Sequence, residues 1–176
     1  PLLEVPGCWN CQEPRLELYE GAAVYARRFA YAQKTPGERV FLRVGAANYA
    51  CRVFLNGRLL ARHVGGFTPF CVELTQDLLP DNRLILQVDN TRRLDQVPSL
   101  NYDWFNYGGV TRPVSLLRVP ACFIQDAFLA LSADAYDRID VKVRLCGANG
   151  GEQVEVTIPA LGAKAELTVS ADGTAE

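Results

Sequence analysis

The chain has 176 residues, 49% hydrophobic and 22% charged, with a net charge of −2. Such a composition is globular and provides for one good core and the start of a second domain. Its lysines and arginines are scattered, which argues against nucleic acid and anionic membrane surfaces as partners, and no apolar run is long enough to span a bilayer. The chain opens on Pro1 without a basic n-region, so no secretory leader is expected.

Leu2 to Trp9 reads as a short extended lead-in, with Trp9 covering one end of a core, and residues 10–20 read as a polar, Pro-broken loop. Within this region Cys8 and Cys11 form a C-x-x-C, while Cys51, Cys71, Cys122 and Cys146 stand apart, mostly in apolar alternation where Cys acts as a small hydrophobe. A structural zinc site needs a second ligand pair, and the sole histidine is His63. A redox C-x-x-C wants a strand before it and a helix after it, whereas Pro6-Gly7 and Gln12-Glu13-Pro14 flank this one. Reduced thiols, no metal or cofactor, and a cytoplasmic location are therefore expected.

Gly21 to Tyr31 alternates enough for a strand, Lys34 to Glu38 is a turn, and Val40 to Val44 is a short β-rich run. Asn56-Gly57 between the runs 51–55 and 58–62 predicts a hairpin on a type I′ turn, because both turn residues must take positive φ. Gly65-Gly66-Phe67-Thr68-Pro69-Phe70 leads into a strand over 71–74. The two glycines there are read as supplying positive φ or close approach. Thr75 can cap one helical turn over 76–79, ended by Pro80. Arg83 to Asp89 is a strand with Leu84, Leu86 and Val88 on one face. Short strands broken by turns, with hardly any helical periodicity, predict an all-β antiparallel sandwich.

Residues 90–100 are a long polar excursion of the kind that carries function on such a scaffold. They lead into the stretch that organises the chain, Asn101-Tyr102-Asp103-Trp104-Phe105-Asn106-Tyr107-Gly108-Gly109-Val110-Thr111-Arg112. Aromatic faces beside Asp and Asn suit a sugar, whose C–H faces are apolar and whose hydroxyls want charged or amide partners. The same aromatics can equally be core, and the residues alone leave both readings open. After Pro120, four further strands are predicted over 123–131, 139–145, 153–158 and 165–169.

Several segments occur together in order: Tyr25-Ala26-Arg27-Arg28-Phe29, Val53-Phe54-Leu55-Asn56-Gly57, His63-Val64-Gly65-Gly66-Phe67-Thr68-Pro69-Phe70, Val88-Asp89-Asn90, and Asp103 through Arg112. That series resembles the N-terminal sugar-binding domain of glycoside hydrolase family 2, the β-galactosidase, β-mannosidase and β-glucuronidase family, and looks most like β-glucuronidase and β-galactosidase. The resemblance implies a galactose-binding-like jelly roll over residues 1–120. It also implies the first part of a truncated immunoglobulin-like sandwich over 121–176, and a catalytic TIM barrel that the sequence does not contain. No Asn-Glu pair, the family's acid/base signature, occurs in the sequence, and no catalytic residue is proposed within it.

The function so implied is the non-catalytic sugar-binding region of a retaining β-glycosidase, inactive alone and shaping the active-site rim for a β-linked sugar. An aspartate matching Asp103 binds sugar hydroxyls in the family, and a carboxylate suits two adjacent hydroxyl donors. Pairing of Asp103 with Arg92 or Arg112 is the structural alternative. Trp104 and Tyr107 are read first as holding the loop against the barrel, and with Asn106 they are the weaker candidates for substrate contact. Arg112 is expected on a carboxylate or backbone carbonyls, and His63 in packing or turn hydrogen bonding. Two competing readings remain. One is a free-standing carbohydrate-binding module using Tyr102, Trp104 and Tyr107. The other is self-association through the open sheet edge of the second domain.

Overall fold

The computed structural model describes residues 2–101 and 103–176 and divides into two compact units, 1–118 and 119–176. In the first, one sheet has the order β1 (Gly7–Cys8), β8 (Gly109–Val119), β3 (Arg39–Asn48), β6 (Phe70–Glu73). The other has the order β2 (Ala22–Ala30), β7 (Asp81–Asp89), β4 (Ala50–Leu55), β5 (Arg58–Val64). The pairings β1–β8, β3–β6, β2–β7, β4–β7 and β4–β5 are all antiparallel.

Period-two alternation sets which faces meet. Leu42, Val44, Val72 and Val110 from one sheet bury against Val53, Leu55, Leu84, Leu86 and Val88 from the other, with Trp9 fully enclosed among them. Each fully buried aliphatic of this kind is worth about 1.5–3 kcal/mol, so burial of this shared face is a main contribution holding the two sheets together. The expected hairpin is present: Asn56 and Gly57 join β4 to β5 with φ of 51° and 89°.

Three local expectations are corrected. Residues 7–12 are not plain lead-in and loop: β1 ends at Cys8 and the short helix α1 (Trp9–Gln12) follows directly. The backbone of Cys8 is held by antiparallel pairing with Gly109, a partner invisible in the local sequence. The strand expected over 40–44 runs on to Asn48. No helix follows Thr75, only a single hydrogen-bonded turn in which the Asp77 amide donates to the Leu74 carbonyl at 2.9 Å. The Thr75 hydroxyl accepts from the Val40 amide at 3.0 Å and donates to Glu73 at 2.8 Å, so it serves the adjacent strands instead of a cap.

The second unit pairs β9 (Phe123–Leu131) with β10 (Ile139–Cys146), and β10 with a two-residue strand β13 (Thr174–Ala175), all antiparallel. A separate hairpin joins β11 (Gln153–Ile158) and β12 (Ala163–Thr168). Val143, Val154, Val169 and Ala175 form its small core. β13 is absent from the sequence-based expectation, since two residues carry no periodicity to read.

Candidate functional site

The stretch 90–108 connects β7 to β8 and carries Asp103, Trp104, Phe105, Asn106 and Tyr107. Together with Asn10, Glu17, Leu18, Glu20 and Arg92, Asp103 through Asn106 line a cleft of about 420 Å³. Tyr102 lies outside the described residues, so its assignment to the binding-module reading gains no structural account.

Four buried asparagines build the floor. Asn106 donates to the Asn90 carbonyl at 2.5 Å, and Asn90 donates back to the Asn106 carbonyl at 2.9 Å. Asn48 donates to the Asn106 side-chain oxygen at 3.3 Å and to the Tyr107 carbonyl at 2.5 Å. The side-chain oxygen of Asn10 accepts from the Gly108 amide at 2.8 Å, and the Trp9 amide donates to the Gly108 carbonyl at 2.9 Å. Gly108 has no room for a side chain, because a Cβ there would run into the Trp9 ring and the Asn90 amide. Neutral amides suit a buried floor, because each offers donors and acceptors together and none carries a charge into the interior.

The opposite wall is fixed by the same residues. Asn10 donates to the carbonyls of Leu16, Glu17 and Tyr19 at 2.9, 3.0 and 3.2 Å, which positions Glu17 and Leu18. The Gly21 amide donates to the Asn90 side chain at 2.9 Å. Arg92 closes the cleft across this wall, with Nε 3.1 Å and Nη2 2.6 Å from the two Glu20 carboxylate oxygens.

The candidate residues separate accordingly. Asp103 is exposed at the cleft, and no hydrogen bond or ion pair reaches its carboxylate among the described residues. The two arginines considered for it have other partners: Arg92 has Glu20, and Arg112 donates to the Phe67 carbonyl at 2.9 Å. Trp104 is 63% exposed on the cleft wall, and Tyr107 packs against Phe105 at 4.9 Å between ring centroids. Asn106 turns its amide inward, where Asn90 and Asn48 hold both ends. His63 stacks on Phe70 at 4.2 Å and bonds within its own turn, to Gly65 at 3.1 Å. Gly65 has a φ of 136°, and a Cβ on Gly66 would collide with the Asn48 side chain.

Sequence reasoning missed Asn10 and Asn48 as the organisers of the floor. Their signal was weak, a single Asn inside a C-x-x-C and another at the end of a strand. Among the described residues no group of three or more His, Cys, Asp or Glu stands together to hold a metal ion, and no helix is long and apolar enough to cross a membrane. Chemically the cleft offers carboxylates and aromatic faces to a hydroxylated ligand.

Residues 4–120 match the model of "Glycosyl hydrolases family 2, sugar binding domain". The chain belongs to this family. It is 30% identical over 147 residues to a β-glucuronidase of Paenibacillus borealis, covering 70% of this chain and 25% of that protein. It is 26% identical over 201 residues to the β-glucuronidase of Felis catus, covering 97% of this chain and 30% of that protein. Its fold matches the solved Bifidobacterium dentium β-glucuronidase complexed with coumarin-3-O-glucuronide at a TM-score of 0.81 and 27% identity, over 98% of this chain and 36% of that one. A putative β-galactosidase from Bacteroides fragilis matches at a TM-score of 0.77 with 27% identity, over 98% of this chain and 29% of that one. The chain spans between 15% and 30% of the length of curated relatives such as these. The expected all-β jelly-roll class and the family 2 sugar-binding domain are both found.

Proposed function

We propose that this chain is the active-site wall of a retaining β-glycosidase, acting on a terminal β-glucuronide or β-galactoside. Asp103 carries the reading: an exposed carboxylate at a cleft rimmed by Trp104 and Phe105, on a loop whose base is clamped by four buried asparagines. Rigid support under a carboxylate that none of the described residues holds suits a group that accepts from two hydroxyls of a sugar and reorganises little on binding. Trp104 and Tyr107 would pack the loop against a TIM barrel of the same polypeptide, which supplies two catalytic carboxyl groups about 5 Å apart. Residues 121–176 would be the first part of an immunoglobulin-like domain linking the two. The thiols of Cys8, Cys11, Cys51, Cys71 and Cys122 fit a reducing compartment, which supports a cytoplasmic protein.

The test is hydrolysis of p-nitrophenyl β-glucuronide, β-galactoside and β-mannoside by the product of the whole reading frame that contains this chain. Asp103→Ala should lower kcat/KM about 10- to 100-fold, the scale of a hydrogen bond to a charged group. Unchanged kcat/KM in that variant would refute the assignment.

The exposed Trp104 supports a second reading, a carbohydrate-binding module that works unaided. Calorimetry of the present chain against glucuronate, galactose and oligosaccharides separates the two. Millimolar or tighter binding that disappears in Trp104→Ala favours the module.

A further inference from the structure

The sequence argues against redox chemistry at Cys8 and Cys11 because neither a strand nor a helix is legible around them. The structure supplies both. Cys8 ends β1, paired to Gly109, and takes an extended conformation (φ −98°, ψ 141°) as the residue that opens α1. Cys11 is the third residue of that helix, the position toward which a side chain at the opening residue naturally points. The Cys8 side chain lies close enough to Cys11 to perturb its thiol. Cys8 is half-buried and Cys11 exposed. We propose that Cys8 and Cys11 are a reversible dithiol that a small-molecule disulfide converts to an intramolecular disulfide.

The exchange has a defined order. The exposed Cys11 thiolate attacks one sulfur of glutathione disulfide, and the first glutathione leaves as a thiol. Cys8 then attacks the Cys11–glutathione bond, a Cys8–Cys11 bond forms, and the second glutathione leaves. Two protein thiols are oxidised, two glutathione sulfurs are reduced, and the two protons end on glutathione. The contact with Cys8 also holds the Cys11 thiol above its ordinary value of 9.0, so the exchange should quicken as pH rises.

The two residues between the sulfurs give the bond a structural consequence. Trp9 and Asn10 are the pair that grips Gly108 at the base of the Asp103 loop, at 2.9 and 2.8 Å. A disulfide would close a ring around this grip and stiffen it. Neither the thiol chemistry nor the stiffening depends on which ligand the cleft takes.

The test equilibrates the full chain in glutathione buffers of stepped redox potential, followed by acid quenching, alkylation and peptide mass spectrometry. A peptide with Cys8 linked to Cys11 should form at potentials where the exposed Cys71 is still a free thiol. In Cys8→Ser, Cys11 should instead accumulate as its glutathione adduct. Amide hydrogen exchange at Gly108 and Trp9 should slow on oxidation by on the order of tenfold, the loop-closure scale for so short a ring. If both cysteines end as separate adducts or alkylated thiols at every potential, the proposal is overturned, whatever Asp103→Ala does to hydrolysis. A linked peptide with unchanged exchange at Gly108 would overturn the coupling to the loop.

Discussion

Asn90 and Asn106 hold each other across the root of the site loop, each side-chain amide donating to the other's backbone carbonyl, at 2.9 and 2.5 Å. Both residues are buried, at 1% and 6% exposure, so neither carbonyl has water to fall back on. Asn106→Ala removes one of these donors and also the acceptor for Asn48. An unsatisfied buried polar group costs about 1–3 kcal/mol. The variant should therefore melt roughly 4 °C or more below wild type. A melting temperature equal to wild type would mean that the loop root is not held this way.

Asp103 should behave in the opposite manner. It is exposed, and no described partner reaches its carboxylate, so Asp103→Ala should shift stability by less than about 0.5 kcal/mol while lowering turnover of the proposed full-length glycosidase. Measuring melting and kcat/KM on the same two preparations separates a group that touches substrate from one that supports it. Were Asp103→Ala to unfold the domain, the carboxylate would be a structural element of the loop.

The contrast between these two residues marks what the sequence could reveal. The Asn56-Gly57 turn and the buried alternation Leu84, Leu86, Val88 were legible because turn chemistry and period-two burial are local properties. Asp103 was singled out by its neighbours and by the family resemblance, and the structure adds that it is exposed at the cleft. The asparagine floor was not: Asn10 and Gly108 meet across 98 residues, and a hydrogen bond of that span leaves no local pattern. The strand–helix setting of Cys8 stayed hidden for the same reason, since its partner is Gly109.

Two glycines can be told apart by experiment. Gly57 has a φ of 89° and open space around it, so Gly57→Ala costs only backbone strain, about 1–2 kcal/mol. Gly108→Ala instead pushes a methyl group into Trp9 and Asn90, a core overpacking of about 1–3 kcal/mol that also moves the indole. In a Trp104→Phe background Trp9 is the sole tryptophan, so its emission reports that movement directly. Gly108→Ala should shift it to the red and Gly57→Ala should not. The same spectrum for both would show that the floor tolerates a side chain.

Glu38 and Tyr31 give one hydrogen bond two pH limits. The Glu38 carboxylate accepts from the Tyr31 hydroxyl at 2.6 Å and from the Lys34 amide at 2.8 Å, which holds its pKa below the ordinary 4.5. A depressed carboxylate stabilises the fold above its unfolded pKa, and that contribution disappears as pH falls through the folded value. Burial first, and then the bond to Glu38, raise Tyr31 above its ordinary 10.0, so its contribution is present below that value and is lost as pH climbs through the raised one. Glu38→Gln should therefore flatten the acid side of the stability profile below about pH 4.5, measured by denaturant midpoints across pH. A parallel profile in the variant would place the acid sensitivity elsewhere.

β9 is the edge of its three-stranded sheet and exposes Ile124, Phe128, Leu129 and Leu131, with Phe128 at 62%. Unpaired backbone beside exposed apolar side chains invites pairing with a second copy. The chain should therefore self-associate as its concentration rises, which sedimentation velocity will resolve. Phe128→Glu should return it toward the monomer, because a charge on an edge opposes strand addition. The cross-strand neighbour of residue 128 is Lys142, whose ammonium pairs with Glu176 and can share a second carboxylate, so the unit itself should keep its fold. If the variant associates as strongly as wild type while circular dichroism shows the same strand content, the contact lies on another surface. If wild type stays monomeric throughout, the β9 edge is not adhesive.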